Sequence, residues 1–314
     1  MKPPKLQAGS VIGLVAPASP IPSAEVLKRG QTVLEEMGFR VKMGRHVQGR
    51  RHYLAGQDSD RAEDLNAMFA DPEVEAVFCA RGGYGAARLL DRLDFAALQA
   101  HPKVLLGYSD ITALHLAVYR RIGLVSFYGP MVTTEMARTF RQETRRRLLD
   151  ALMNTRPPEP ISTVQRNSPP MIIRPGAVQG RLVGGCLSVL VTLLGSDYMP
   201  SLDGAVLFLE DLDEEPYRLD RYLTQLRLCG ALSRVSGVAV GQLVNCEPRQ
   251  DRADYIRTHG SLDVLRDRLG DLGVPVLAGL GFGHGRHQAT LPQGVMVRLE
   301  ADAGRLLFLE SGVR

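Results

Sequence analysis

The stretch KVLLGYSDITALHLAVYRRIGLVSFY, residues 103–128, decides the fold. A short apolar run, Lys103–Leu106, passes through Gly107, Tyr108, Ser109 and Asp110 into a helix-period segment, Asp110–Arg121. After Gly123 a second apolar run follows, Leu124–Tyr128. Parallel neighbouring strands need a long crossover, and a helix between two apolar runs supplies it. The same alternation extends upstream. Val11–Ala16 reads as a strand, Ser23–Met37 as a helix stopped by Gly38, and Phe39–Met43 as a strand. Asp58–Phe69 reads as a helix, Glu75–Cys79 as a strand and Gly85–Leu93 as a helix. The strand runs are continuously apolar rather than alternating, so both faces of the sheet should be covered. The spacing therefore predicts an α/β fold with an N-terminal parallel-sheet domain over residues 1–153, closed by a helix over Arg141–Met153.

The texture then changes. Residues 154–175 carry prolines at 157, 158, 160, 169, 170 and 175 and no long periodic stretch, which predicts a linker. Residues 176–314 predict a mixed β/α C-terminal domain. Gly180–Leu194 suggests a strand end and a helix opened by Gly184-Gly185. Strands follow at Ala205–Leu209, Val235–Leu243 and Val274–Ala278, with helices at Tyr217–Cys229 and Leu262–Leu269. Val295–Leu299 and Arg305–Leu309 flank Asp302-Ala303-Gly304, a hairpin signal.

Composition sets limits. A chain of 314 residues, 45% apolar and 23% charged, fits a soluble globular protein of about two domains and excludes collagen-like, coiled-coil and disordered classes. Lys and Arg number 38 against 34 Asp and Glu; a net charge of +4 is too small to indicate a nucleic-acid partner and leans mildly toward an anionic substrate. Cys79, Cys186, Cys229 and Cys246 form no CxxC pair, so a zinc site of that type is excluded and free thiols in a reducing compartment are expected. No apolar run approaches the roughly 18 residues of a membrane span. Lys2 and Lys5 before Val11–Ala18 faintly resemble a secretory signal, but Gly13 and Pro17 break the run and a first buried strand explains it better. A cytoplasmic protein is expected.

Ser109 is the sharpest chemical feature. A buried strand running straight into a serine that opens a helix pushes the hydroxyl out at the carboxyl end of the sheet, where open α/β sheets place ligands. The N–H of Asp110 is the natural oxyanion donor there. Ser and Asp also serve simply as helix caps, and the hydrolase pattern GxSxG is not met, because Ile111 stands at its last position. Arg81-Gly82-Gly83-Tyr84-Gly85 can bring backbone N–H groups close to a carboxylate or oxyanion, with Gly83 the chosen donor, or it can be a tight turn. No dinucleotide or P-loop fingerprint is present. Glu210 ends an apolar strand and could orient an imidazole; Glu214 and Glu215 read as the acidic start of a helix opened by Pro216. His284, among the glycines of residues 279–285, could act as general base or be a surface loop histidine. His287 completes an HxxH without acidic or cysteine companions, a weak metal signal. His46, His52, His101, His115 and His259 read as structural. Together, a nucleophile, an orienter and a base occur in the order Ser, Glu, His, each following a buried strand.

At these residues the chain resembles the LD-carboxypeptidases, serine peptidases that remove the terminal D-alanine of murein tetrapeptide. The resemblance runs through GLVAP (residues 13–17), RGGYG (81–85), GYSDIT (107–112), YGPM (128–131), Gly184-Gly185, LED (209–211) with EPYRLD (215–220), and GHG (283–285). It implies Ser109 as nucleophile, His284 as base, Glu210 as its partner, and an oxyanion hole from Asp110 N–H and a glycine of RGGYG. It further implies a flavodoxin-like N-terminal domain, a swivelling β/α C-terminal domain, a homodimer and no cofactor. An exopeptidase must also hold a terminal carboxylate, and Arg81, with Tyr84 beside it, is the substrate-binding candidate; the alternative for Arg81 is a surface ion pair with a nearby carboxylate. A similar branch of the family hydrolyses microcin C, using an aromatic residue, often Trp, to stack a nucleobase; this chain has no Trp. That favours a murein peptide as the substrate, although Tyr or Phe could substitute. A non-catalytic binder of an anionic ligand is the rival class, and a nucleotide-dependent enzyme would need the missing phosphate fingerprint.

Overall fold

The computed structural model describes residues 1–164, 171–249 and 258–314. Its first sheet contains β1 (Val11–Val15), β2 (Arg40–Met43), β3 (Val74–Cys79), β4 (Val104–Gly107) and β5 (Ser126–Tyr128), all parallel, in the order β5-β4-β3-β1-β2. This is the flavodoxin-like order, whose direction of winding reverses between β1 and β3. Helices α1 (Ala24–Glu36), α2 (Asp58–Ala70), α3 (Phe95–Ala100) and α4 (Thr112–Ile122) make the crossovers, and α5 (Gln142–Met153) follows. Ser23 caps α1, its side chain accepting from Val26 N–H, and α4 ends at Gly123 in the left-handed region. Ile12, Leu14, Val77, Phe78, Leu105 and Leu106 are at most 1% exposed, as continuous apolar strands in a doubly covered sheet should be.

The second sheet is mixed. Its centre is parallel: β8 (Ala177–Cys186), β9 (Val206–Leu212), β10 (Gly237–Val244) and β11 (Val276–Ala278). Antiparallel strands flank it: β13 (Met296–Glu300), β14 (Arg305–Phe308) and β6 (Ile161–Ser162) on one side, β7 (Met171–Arg174) on the other. The predicted hairpin is β13–β14. Helices α6 (Leu187–Thr192), α7 (Pro216–Leu228) and α8 (Ser261–Leu269) belong to this half. The strand β12 (Leu291–Gln293), though late in the chain, pairs antiparallel with β5 and closes the edge of the first sheet.

Several elements depart from the sequence expectations for identifiable reasons. Residues 86–92 form a tight 3-10 turn rather than an α-helix, because Gly85 precedes them at φ +120° and the Asp110 carboxylate binds Ala86 N–H at 2.7 Å. Gly184-Gly185 lies inside β8 rather than opening a helix, and pairs with Phe208 and Leu209 of β9. The proline-rich residues 154–175 carry β6 and β7, both at sheet edges, where proline is tolerated. Pro169 and Pro170 lie outside the described residues. Strand β12 has only Leu291 as a large apolar residue and offers no periodicity to read.

Candidate active site

The turn after β4 sets the geometry. Ser109 has φ +64°, a left-handed backbone that costs a non-glycine residue of order 1–3 kcal/mol and persists only where its surroundings enforce it. Two bonds enforce it. Ser109 N–H donates to the Tyr128 hydroxyl at 3.2 Å, and Ile111 N–H donates to the Tyr108 carbonyl at 3.2 Å. The glycine loop after β3 then closes over the serine. A side chain on Gly82 would place its Cβ 2.9 Å from Ser109 Cβ and 3.1 Å from Ser109 Oγ, so only glycine fits. The loop is held by Ser19, whose N–H donates to Gly82 O at 3.3 Å and whose hydroxyl accepts from Tyr84 N–H at 3.1 Å. Loops after β1, β3 and β4 thus meet at one end of the sheet, beside its switch point.

Glu210 lies in β9, fully buried, and both its carboxylate oxygens are hydrogen-bonded. Oε1 accepts from the Tyr128 hydroxyl at 2.6 Å; Oε2 accepts from His284 N–H at 3.1 Å and from His284 Nδ1 at 2.7 Å. A carboxylate is only an acceptor, so Nδ1 carries the proton and the neutral ring keeps its lone pair on Nε2. The backbone turn that delivers the histidine has Gly283 at φ +98°, where a Cβ would sit 2.5 Å from Glu210 Oε2. The Tyr108 ring packs edge-on against the imidazole, centroids 4.8 Å apart. Burial opposes charge on His284, but the hydrogen bond and charge of Glu210, with Asp211 and Glu135 behind it, outweigh burial and raise its pKa above the ordinary histidine value.

These contacts bring Ser109, Glu210 and His284 together through Tyr128, with Gly82 against the serine. Ser109, Asp110 and the RGGYG loop face His284 and Glu210 across Tyr128 and Tyr108. Ser109 Oγ and His284 Nε2 are not bonded to one another. Asp110 is buried, and burial raises its carboxyl pKa; its side chain is used to pin the glycine loop. Gly83 stands at φ +112° against Ser19. Arg81 is half-buried, donating to Pro20 O at 3.2 Å with its Nε left without a partner; burial and the nearby Arg138 charge lower its pKa. Tyr84 is exposed, edge-on to the exposed Tyr53 at 5.6 Å. Pro216 opens α7 behind Glu215. Asp211 caps α6 through Ser188 N–H at 2.7 Å, and burial pushes its carboxyl up to about 6. His115 is a core histidine between Ser126 Oγ and Gly107 O, driven by burial down to about 4. Among the described residues no group of three His, Cys, Asp or Glu could hold a metal, and His287 is exposed.

Sequence reasoning did not single out Tyr128, which touches both Ser109 and Glu210, nor Tyr108, which backs His284 and donates to Glu135 at 2.7 Å. A signal existed for Tyr128. It is a phenol at the carboxyl end of the strand beside β4, where a core residue would otherwise stand.

Comparison with known proteins finds relatives along most of the chain. Residues 12–129 match the model of the LD-carboxypeptidase N-terminal domain, and residues 179–299 that of the LD-carboxypeptidase C-terminal domain. The chain is 37% identical over 316 residues to the "Probable murein peptide carboxypeptidase" of Bacillus subtilis, covering 99% of this chain and 95% of the relative. It is 33% identical over 306 residues to the murein tetrapeptide carboxypeptidase of Pseudomonas aeruginosa, covering 93% of each. Among solved structures, the muramoyltetrapeptide carboxypeptidase from Oxalobacter formigenes superposes with a TM-score of 0.83 at 30% identity over 95% of this chain and 97% of that one. The microcin C7 self-immunity protein MccF, in its wild-type apo state, gives 0.87 at 26% identity over 100% of both chains.

Proposed function

Because the chain belongs to the LD-carboxypeptidase family, we propose that it is a serine carboxypeptidase that removes the terminal D-alanine from murein tetrapeptide. The single observation that carries this reading is the unbroken chain of contacts from Ser109 N–H through Tyr128 and Glu210 to His284 Nδ1. It leaves a serine hydroxyl on a strained backbone turn on one side and an imidazole lone pair on the other.

In this mechanism Ser109 Oγ attacks the carbonyl that joins the L-centre of meso-diaminopimelate to D-alanine. His284 Nε2 takes the hydroxyl proton, and Glu210 stabilises the imidazolium without itself being protonated. The oxyanion is held by the N–H groups of Asp110 and Gly83; losing one such donor costs about 2.7–4 kcal/mol. The imidazolium then protonates the amine, D-alanine leaves, and water assisted by His284 releases the tripeptide. The Arg81 fork takes the D-alanine carboxylate, with Tyr84 beside it. Ser109 comes from the 1–153 unit, and Glu210 and His284 come from the 176–314 unit across the 154–175 segment. The expected working form is a cytoplasmic homodimer acting in cell-wall recycling.

The likeness to MccF and the exposed Tyr53–Tyr84 pair favour a second reading, a microcin-type peptidase that stacks a nucleobase on these rings. Incubation with murein tetrapeptide and, in parallel, an acyl-sulfamoyl adenosine, read by mass, separates the two. Loss of alanine supports the first reading; cleavage of the nucleoside conjugate alone supports the second. Binding of either without cleavage would make the protein a non-catalytic binder.

A further inference from the structure

The turn 281–289 has two sides. One carries His284 to Glu210. The other turns Arg286, His287 and Gln288 into a separate cleft of about 1070 Å³, whose opposite wall is Arg141 and the first turns of α5. Gln242 anchors this turn by donating to His287 O at 2.7 Å, and Ala289 N–H donates to Gly281 O at 2.9 Å.

The cleft is cationic. Among the described residues, Arg141, Arg146, Arg147 and Arg286 line it against one carboxylate, Glu143. Two of these charges are already used. Arg146 is clamped by Glu143 at 3.0 Å and Glu159 at 2.6 Å, and Arg147 pairs with Glu143 at 2.7 Å. Arg141 and Arg286 are exposed and form no ion pair among the described residues. On the cleft floor Gln288, 6% exposed, has an amide oxygen with no hydrogen-bond partner. Gln288 lies four residues beyond His284 on the same turn, which Ala289 N–H closes on Gly281 O, so the cleft adjoins the proposed reaction centre. No residue of the Arg81–Gly85 loop lines it.

We propose that this cleft binds the acidic stem of the substrate on the acyl side of the scissile bond, with Arg286 and Arg141 receiving a peptide carboxylate and Gln288 accepting from a peptide N–H. The inference rests on the peptidase reading above and deepens it. An exopeptidase that holds the leaving residue's carboxylate at Arg81 must run the rest of its peptide the other way. Arg286 lies two residues beyond His284, so their Cα atoms are at most about 7.6 Å apart. That is the reach of the next one or two residues of an extended peptide. In a murein stem those residues supply two carboxylates, the free α-carboxylate of the γ-linked D-glutamate and the side-chain carboxylate of diaminopimelate. A planar guanidinium pair matches either one.

The test measures the affinity of folded Ser109→Ala protein for three tetrapeptides: the free acid, the form amidated at D-glutamate, and the form amidated at diaminopimelate. The free acid should bind about tenfold more tightly than one of the amidated forms, and that form identifies the carboxylate held. The preference should shrink with added salt. In Arg141→Gln/Arg286→Gln on the same background the ratio should fall to near one. Equal binding of all three peptides, or a ratio that survives the double substitution in a protein with an unchanged melting profile, overturns the proposal. The salt series on the unsubstituted cleft decides the matter if the double variant fails to fold. Equal alanine release from all three peptides by the parent protein would sink this inference and leave the peptidase reading standing. Selective binding with no alanine release would do the reverse.

Discussion

Replacing Glu210 by Gln changes one oxygen into an NH2 group at a carboxylate whose partners are all donors. Oε2 accepts twice from His284, at 3.1 and 2.7 Å, and Oε1 once from Tyr128, at 2.6 Å. With the amide nitrogen at the Oε2 position, two N–H groups face a donor, and His284 must adopt the tautomer with its proton on Nε2, which cannot accept from Ser109. With the nitrogen at the Oε1 position the histidine bonds survive, but the Tyr128 hydroxyl must accept from both the new amide and Ser109 N–H, and its own proton loses its acceptor. A buried donor left unpaired costs about 1–3 kcal/mol, so a stability loss of that size is expected in either state. The loss in rate is larger, because the imidazolium loses its counter-charge; the change of carboxylate to amide in a serine-protease triad costs about 10⁴-fold, which sets the upper end.

The pH profile carries the sharper signature. In the parent protein Glu210 is what holds the His284 pKa above its ordinary value against burial. Without that charge burial prevails and the histidine pKa falls. A general base works when neutral, so the acidic limb of kcat/KM moves to lower pH in Glu210→Gln while the plateau drops. The linkage to stability follows the same sign. Because the His284 pKa is raised in the folded state, its contribution is fully present below the ordinary histidine pKa and is lost as pH rises through the raised value; the variant lacks this contribution. Alanine release from murein tetrapeptide at pH 4–9, beside denaturant unfolding at the same pH values, measures both. A variant with a near-parental plateau and an unmoved acidic limb would refute Glu210 as the partner of the base.

Two other substitutions probe the serine turn. Tyr128→Phe removes the hydroxyl that donates to Glu210 and accepts from Ser109 N–H, so it should lose about 1–3 kcal/mol of stability and lower kcat more than it raises KM. A parental melting curve and rate would show that the phenol holds neither group. Ser109→Gly should be more stable than Ser109→Ala by about 1 kcal/mol in a denaturant titration, since alanine keeps the cost of φ +64° and glycine relieves it. Equal midpoints would show that the turn stores no strain.

Much of this could be read along the chain, and the unreadable part has a common cause. The strand, glycine and serine of residues 104–109 form one local signal, and Glu210 and His284 are each legible as polar residues placed after buried strands. Their convergence is not local: residue type and placement after buried strands suggest a nucleophile, an orienter and a base, and the family resemblance assigns them to one site. Tyr128 opens the YGPM stretch but is given no role by the sequence, because a tyrosine closing a buried strand looks like core until its hydroxyl is seen between Ser109 and Glu210. The edge strand β12 and the edge strands of residues 154–175 are too short to carry a period; their partners, β5, β14 and β11, supply the order that the local sequence lacks. The positive φ of Ser109 is likewise imposed from outside the turn, by Tyr128 and by the glycine loop.

Mass spectrometry of murein tetrapeptide incubated with the parent protein and with Ser109→Ala tests the central claim most directly. The account predicts loss of one alanine with the parent, and an unchanged peptide with a variant whose melting profile shows it to be folded. Alanine release by Ser109→Ala at the parental rate would contradict it, as would an unchanged peptide with the parent protein.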